Sequence, residues 1–182
     1  MDTQCITELF GQSKFRPVVR YNKEIPGYYI SEDCELYSSK TGQILKAYPY
    51  HEKKTTLTSD NQSEPRLKEL LYTLTIPYKF FPEHTHKKRK GRSHSKIPLS
   101  AHRAVMETWR PIDDFPPIPK EDWDKCPESA KQWIRDTAIV DHIDDNPANN
   151  NVSNLRWVTP KQNNSRRKAV EMKKLKSEGL IL

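Results

Sequence analysis

The sequence predicts an α+β fold, elongated, in which an N-terminal antiparallel β-sheet module leads into a C-terminal strand–loop–strand–helix unit. Three observations carry this. Short β-prone runs recur from Gly27 onward, "YYI", "ELYS" and "ILKAY", each separated by turn residues. The apolar runs "TAIVDHI" and "NLRWVT" flank an asparagine-rich loop. Behind them, Thr159 and Pro160 supply a capping hydroxyl and a proline at the first helical position, where its missing N–H costs nothing.

Taken in order, the runs from Gly27 form a meander whose turns are "SED" and "KTGQ", with Gly42 providing a permissive backbone. "HEKKTTLTSDNQSEPR" is polar and reads as a loop, and "KELLYTLTIPYKF" then alternates apolar and polar residues as a half-buried strand does. Pro77 points to an edge or strand-end position there. "HTHKKRKGRSHSK", residues 84–96, is strongly basic and without an acid: a solvated loop or an arm that grips phosphates. In "SAHRAVMETW", Ser100 is the expected N-cap of a helix with Val105 and Trp109 on one face. "RPIDDFPPIPKEDWDKCP" reads as a connector, "ESAKQWIRD" as a short helix, and the final helix runs on toward Gly179.

Of the 182 residues, 34% are hydrophobic and 30% charged, which predicts a thin core. Lys and Arg number 31 against 24 acids, a formal net charge of +7 that makes a polyanion the first partner to consider. Cys5, Cys34 and Cys126 form no C-x-x-C pair, so neither a zinc knuckle nor a disulfide framework is indicated. With no signal-like leader and no long apolar run, the expectation is a soluble, cytoplasmic protein with no membrane partner.

The chemistry concentrates between Ala138 and Asn164. Asp141 and His142 fall on the first strand and Asn163 one turn into the helix, so a carboxylate and an amide oxygen converge on a hard, oxygen-rich partial site of the type that suits Mg²⁺ or Mn²⁺. A histidine beside such a site, with a reference pKa of ~6.5, can accept a proton from an attacking water. Phosphodiester hydrolysis needs both, because one group makes the nucleophile and the cation offsets charge on the phosphate. Neighbouring residues of a regular strand face opposite ways, a difficulty that a twisted strand end would resolve.

"VDHIDDNPANNNVSNLRWVTPKQN" resembles the HNH motif of the ββα-metal nucleases, in the version carried by phage and intron homing endonucleases. The resemblance implies that Asp141 and Asn163 bind one divalent cation, Mg²⁺ or Mn²⁺, that His142 is the general base, and that Asn154 is the central asparagine orienting loop and base. "HRAVMETWRP", with His102 and Arg103, is similar to the segment preceding that motif in these enzymes, and "GYYISEDCELYSSKTGQILK" resembles their nuclease-associated β module. The implied organisation is a β-rich DNA-binding region over 1–98 with its basic arm at 84–96, the nuclease core over 99–167 and a basic helical tail over 168–182.

The implied function is a site-specific DNA endonuclease of the homing type, acting on double-stranded DNA as a monomer or homodimer without a small-molecule cofactor. A restriction- or repair-type HNH nuclease and a non-cutting DNA-binding regulator on the same fold are the alternatives. Candidate DNA contacts are Lys87, Lys88, Arg89, Lys90 and Arg92 of the arm, with Arg156, Arg166 and Arg167 beside the site. Arg156 serves equally well as partner of a carboxylate. Asn149, Asn150 and Asn151 mainly satisfy a tight loop. Trp109 and Trp157 are read as core, and His51, His84, His86 and His94 as uninvolved in catalysis. His102 is read first as packed and hydrogen-bonded, with orientation of Asn154 or the loop as the second reading.

Overall fold

The computed structural model describes residues 15–51, 67–78, 80 and 93–177. Within them the fold is α+β with antiparallel sheets throughout. Strands β1 (Phe15–Arg20), β2 (Lys23–Ser31), β3 (Leu36–Ser38) and β4 (Gln43–Leu45) form a four-stranded meander in sequential order. The β1–β2 hairpin turns on Tyr21 and Asn22, both at positive φ (52° and 58°), the backbone that a two-residue hairpin loop with matching twist demands. Gly42, at φ 67°, occupies the β3–β4 turn, where the sequence places a permissive residue.

A second sheet pairs β5 (Tyr48–His51), β6 (Leu67–Pro77) and β7 (His94–Ser100). Its central strand alternates as its sequence does, Tyr72, Leu74 and Ile76 buried against exposed Thr73 and Thr75. Pro77 closes that strand, paired with His94, so it sits at a strand end. The basic residues Lys87, Lys88, Arg89, Lys90 and Arg92, with His84 and His86, lie outside the described residues.

Helix α1 (Ala101–Trp109) follows β7 directly and joins everything else. Its Ala104, Val105, Met106 and Trp109 share one continuous core with Ile30 and Leu36 of the meander, Leu74 and Leu99 of the second sheet, and Val140, Leu155 and Trp157 further on. Trp109 donates from Nε1 to the carbonyl of Ile30 at 3.2 Å, and Trp157 to the carbonyl of Arg110 at 2.8 Å, so both indoles bury their rings with the polar edge satisfied. Ser100 occupies the N-cap position but makes no capping hydrogen bond, because its hydroxyl lies beside the His102 ring.

The connector contains one element its prolines conceal: Pro119 precedes a short helix α2 (Lys120–Lys125), pinned by Trp123 at 2% exposure. A proline is compatible with a helix start and fatal only inside one, so the proline-rich spacing masks the turn behind it. Helix α3 (Glu128–Thr137) leads into the ribbon of β8 (Ile139–His142) and β9 (Leu155–Val158), then α4 (Pro160–Ser177). Thr159 and Gln162 form a reciprocal capping box, Thr159 N–H donating to Gln162 Oε1 at 2.7 Å and Gln162 N–H to Thr159 Oγ1 at 3.3 Å. Among the described residues no helix is long and apolar enough to cross a membrane.

Candidate active site

β8 and β9 pair antiparallel with Asp141 opposite Arg156 and His142 opposite Leu155. One ribbon face therefore carries Val140, His142, Leu155 and Trp157, packed toward α1, while the other carries Asp141 and Arg156, toward α4. Asp141 and His142 do face opposite ways. They nevertheless line one cleft of about 350 Å³, together with Ile139, Val140, Asn163 and His102. Four consecutive residues of one strand can border the same space only along its edge, and β8 has a strand neighbour on one side alone. The free edge of a two-stranded ribbon thus brings together side chains that a flat sheet would separate.

Asp141 is held from two sides. Its Oδ2 accepts from Arg156 Nε at 2.9 Å and from Arg166 Nη1, while Oδ1 has no hydrogen-bond partner among the described residues. Arg166 reaches up from α4 and spends its fork on four acceptors: Asp141 Oδ2, the carbonyls of His142 at 2.8 Å and Ile143 at 2.7 Å, and Asp145 Oδ1 at 3.1 Å. It clips the last helix to the end of β8. Asp145 itself sits at φ 61° in the turn that ends the strand. Arg156 is about half exposed, and the side chain of Arg167 falls outside the described set.

Among the described residues the His142 imidazole makes one hydrogen bond, between Nε2 and Asn150 Oδ1 at 2.9 Å. Asn150 is 4% exposed, and its amide nitrogen faces the carbonyls of Pro147 and Ala148. That leaves its oxygen for the imidazole, which assigns the proton to Nε2 and the lone pair to Nδ1. The asparagine run is thus more than loop filling. Asn150 sets the tautomer of a would-be base, and the sequence signal for it was only its burial-prone place in the middle of the run. Asn154 pins the loop, donating to Asp144 Oδ1 at 2.9 Å and to the Asn149 carbonyl at 2.8 Å and accepting from the Asp144 N–H at 3.2 Å. The Asp144 carboxyl is held down to about 2 by the Asn146 N–H, then by the Asn149 and Asn154 amides. Asn151 ties this loop to the meander, donating to Asp33 while Val152 N–H meets the Glu32 carbonyl at 2.9 Å.

His102 stands beside His142, ring centroids 5.3 Å apart and planes at 68°. Burial, with smaller contributions from His142, Arg103 and Arg20, lowers its pKa from 6.5 to about 3, so it is neutral at any working pH. Its reading as a packed, hydrogen-bonded residue holds, with a contact to the base added to it.

The residues fit a hard divalent cation. The open Oδ1 of Asp141 and the side chain of Asn163, which has no hydrogen-bond partner among the described residues, border the same space and offer oxygen donors. Among the described residues no cluster of three or more His, Cys, Asp and Glu side chains forms a closed cage, so such a cation would complete its shell from water and substrate. His51 and His94 do not line the cleft, although His51 pairs across its sheet with Leu67, which does.

No curated protein matches the chain. A solved structure described as "DNA binding and cleavage by the HNH homing endonuclease I-HmuI" aligns with 19% identity and a TM-score of 0.39, over 92% of this chain and 60% of that one. Residues 116–165 match the HNH endonuclease family, a span that runs from the connector through β8, the asparagine loop and β9 to the first turns of α4. Asp141, His142, Asn154 and Asn163 all lie inside the span that matches the HNH endonuclease family.

Proposed function

We propose that this protein is a site-specific, divalent-metal-dependent endonuclease of the homing type that hydrolyses a phosphodiester bond of double-stranded DNA. One observation carries the reading: Asp141, His142 and Asn163 converge on a single cleft inside the segment that matches the HNH family. The homing assignment rests on the long, ordered likeness of "VDHIDDNPANNNVSNLRWVTPKQN" to that group's motif.

His142 takes the proton of the attacking water on Nδ1, while Asn150 holds its Nε2–H. Asp141 and Asn163 would hold the cation, Mg²⁺ or Mn²⁺, which when bound supplies charge neutralisation at the phosphate and the leaving 3′ oxygen. Arg166 and Arg156 keep one carboxylate oxygen of Asp141 occupied and leave the other turned outward. Asn154 keeps the loop, and with it Asn150, in place. Phosphates along the duplex are gripped by the basic arm, Lys87, Lys88, Arg89, Lys90 and Arg92, and by Arg167 on the final helix. Arg166, with its donors committed to protein acceptors, acts as a clip in this scheme, and Arg156 serves Asp141 first. One site cuts one strand, so a monomer nicks and a dimer makes a double-strand break.

The test is an incubation of supercoiled DNA and of phage genomic DNA with the wild type and His142→Ala, each with Mg²⁺, Mn²⁺ or EDTA. Metal-dependent cutting into discrete products by the wild type alone is expected, with DNA binding retained in the variant. Salt-sensitive binding without cleavage of any DNA would mean a non-cutting regulator instead. Loss of binding together with cutting in His142→Ala would show a structural residue.

A further inference from the structure

We propose that His102, on α1, is a positioning residue for His142: its ring, edge-on at a centroid separation of 5.3 Å, fixes the plane of the His142 imidazole so that the nitrogen not bonded to Asn150 stays turned to the cleft. The functional meaning of this contact rests on the nuclease reading above; the contact itself does not.

A histidine ring turns about a bond between tetrahedral and planar carbons, whose torsional wells are broad. A single hydrogen bond, Nε2 to Asn150, therefore fixes one point of the ring and leaves it free to pivot about that point. A general base needs its accepting nitrogen aimed at the water, so a second constraint is required. Among the described residues the ring contact recorded for His142 is His102, at the tilted, near-perpendicular geometry that aromatic pairs favour.

His102 is fit for that duty because it is itself immobile. It lies between Ala101 and Ala104, both fully buried, in the helix that occupies the centre of the core. Ser100 Oγ lies 3.2 Å from its Nδ1 and 3.3 Å from its Nε2. Its neighbour Arg103 is drawn off to Glu107 at 2.9 Å, away from the two rings.

Packing alone does not account for an imidazole here. An aliphatic side chain at the first turn of an amphipathic helix would fill the space without desolvating two ring nitrogens that have one hydroxyl, Ser100 Oγ, between them. His102 also borders the cleft, which a purely internal residue would not. Kept neutral by burial, it neither repels a protonated His142 nor competes for the proton.

Two measurements test this. In protein with ¹³C-labelled histidine rings, free of DNA and metal, the wild type is expected to show the His142 ring rigid in carbon relaxation. The ringless variants His102→Leu and His102→Gln are expected to show it mobile about its Cβ–Cγ bond, and His102→Phe to keep it rigid; two ringless variants guard against one that fails to fold. On cleavable DNA under single-turnover conditions, His102→Leu and His102→Gln are expected to slow roughly 10- to 100-fold with DNA affinity unchanged, and His102→Phe to recover most of that loss. A rigid His142 ring in both ringless variants overturns the proposal whether or not the protein cuts DNA. So does an equal loss of rate in His102→Phe and His102→Leu. A ring mobility that responds as expected in a protein that cuts nothing would instead retire the nuclease reading and leave the positioning role standing.

Discussion

Acidification offers a sharp test of how deeply His102 is held. In the folded protein its pKa falls from 6.5 to about 3, chiefly through burial, with His142, Arg103 and Arg20 adding like charge. Between these values the unfolded chain binds a proton that the folded one refuses. The unfolded state then carries more protons, and stability must fall as the pH falls, beginning near 6.5 and continuing toward about 3. The slope approaches about 1.4 kcal/mol per pH unit for one group. Integrated from pH 7.5 to 5.0, the loss is about 2 kcal/mol, and it hardly changes if the folded value is nearer 4 than 3, because the folded imidazole stays neutral throughout that window either way. For a chain of this size that corresponds to about 4–8 °C in Tm.

His102→Phe removes this contribution while keeping a ring in place. Urea unfolding of wild type and variant at pH 7.5 and 5.0, in EDTA, isolates it, because the two proteins differ in that one side chain. The wild type is expected to lose about 2 kcal/mol more than the variant over that interval. Equal losses, within about 0.5 kcal/mol, would mean that water and protons reach His102 in the folded state, and the account of its burial would fail.

Two further substitutions probe the parts around it. Arg166→Lys keeps a positive charge able to meet a phosphate but cannot serve four acceptors in a fork; it is expected to cost about 2 kcal/mol in urea unfolding and to slow cleavage more than it weakens binding. Unchanged stability and rate would make Arg166 a phosphate contact and not a clip. Asn154→Ala removes three hydrogen bonds from the loop and is expected to cost about 1 kcal/mol, with the Asp144 carboxyl rising from its low value in an NMR titration as one of its donors disappears. An unmoved Asp144 titration would show that the Asn146 N–H and Asn149 hold the turn without Asn154.

What could be read from the sequence was whatever neighbouring residues decide among themselves. The meander follows from β-prone runs broken at Gly42 and the "SED" turn, α4 from the capping hydroxyl of Thr159 and the proline behind it, and the core face of α1 from the spacing of Val105 and Trp109. The order Asp141, His142, Asn154, Asn163 was legible for the same reason, since strand, loop and helix there are consecutive and their spacing is local. Helix α2 escaped because prolines that open a helix look like prolines that forbid one.

The arrangement that makes these residues a site was decided only by tertiary structure. Asp141 and His142 point from opposite faces of their strand, and they meet one cleft because β8 has a free edge, which no pattern along the chain announces. Arg166 takes up the carbonyls of residues more than twenty positions before it, and His102 reaches His142 across forty residues. The first depends on Arg166 clipping α4 to the end of β8, and the second on how α1 settles on the ribbon, which is set by the packing of Trp109, Leu155 and Trp157 in a shared core, a property of many side chains at once and of no segment alone.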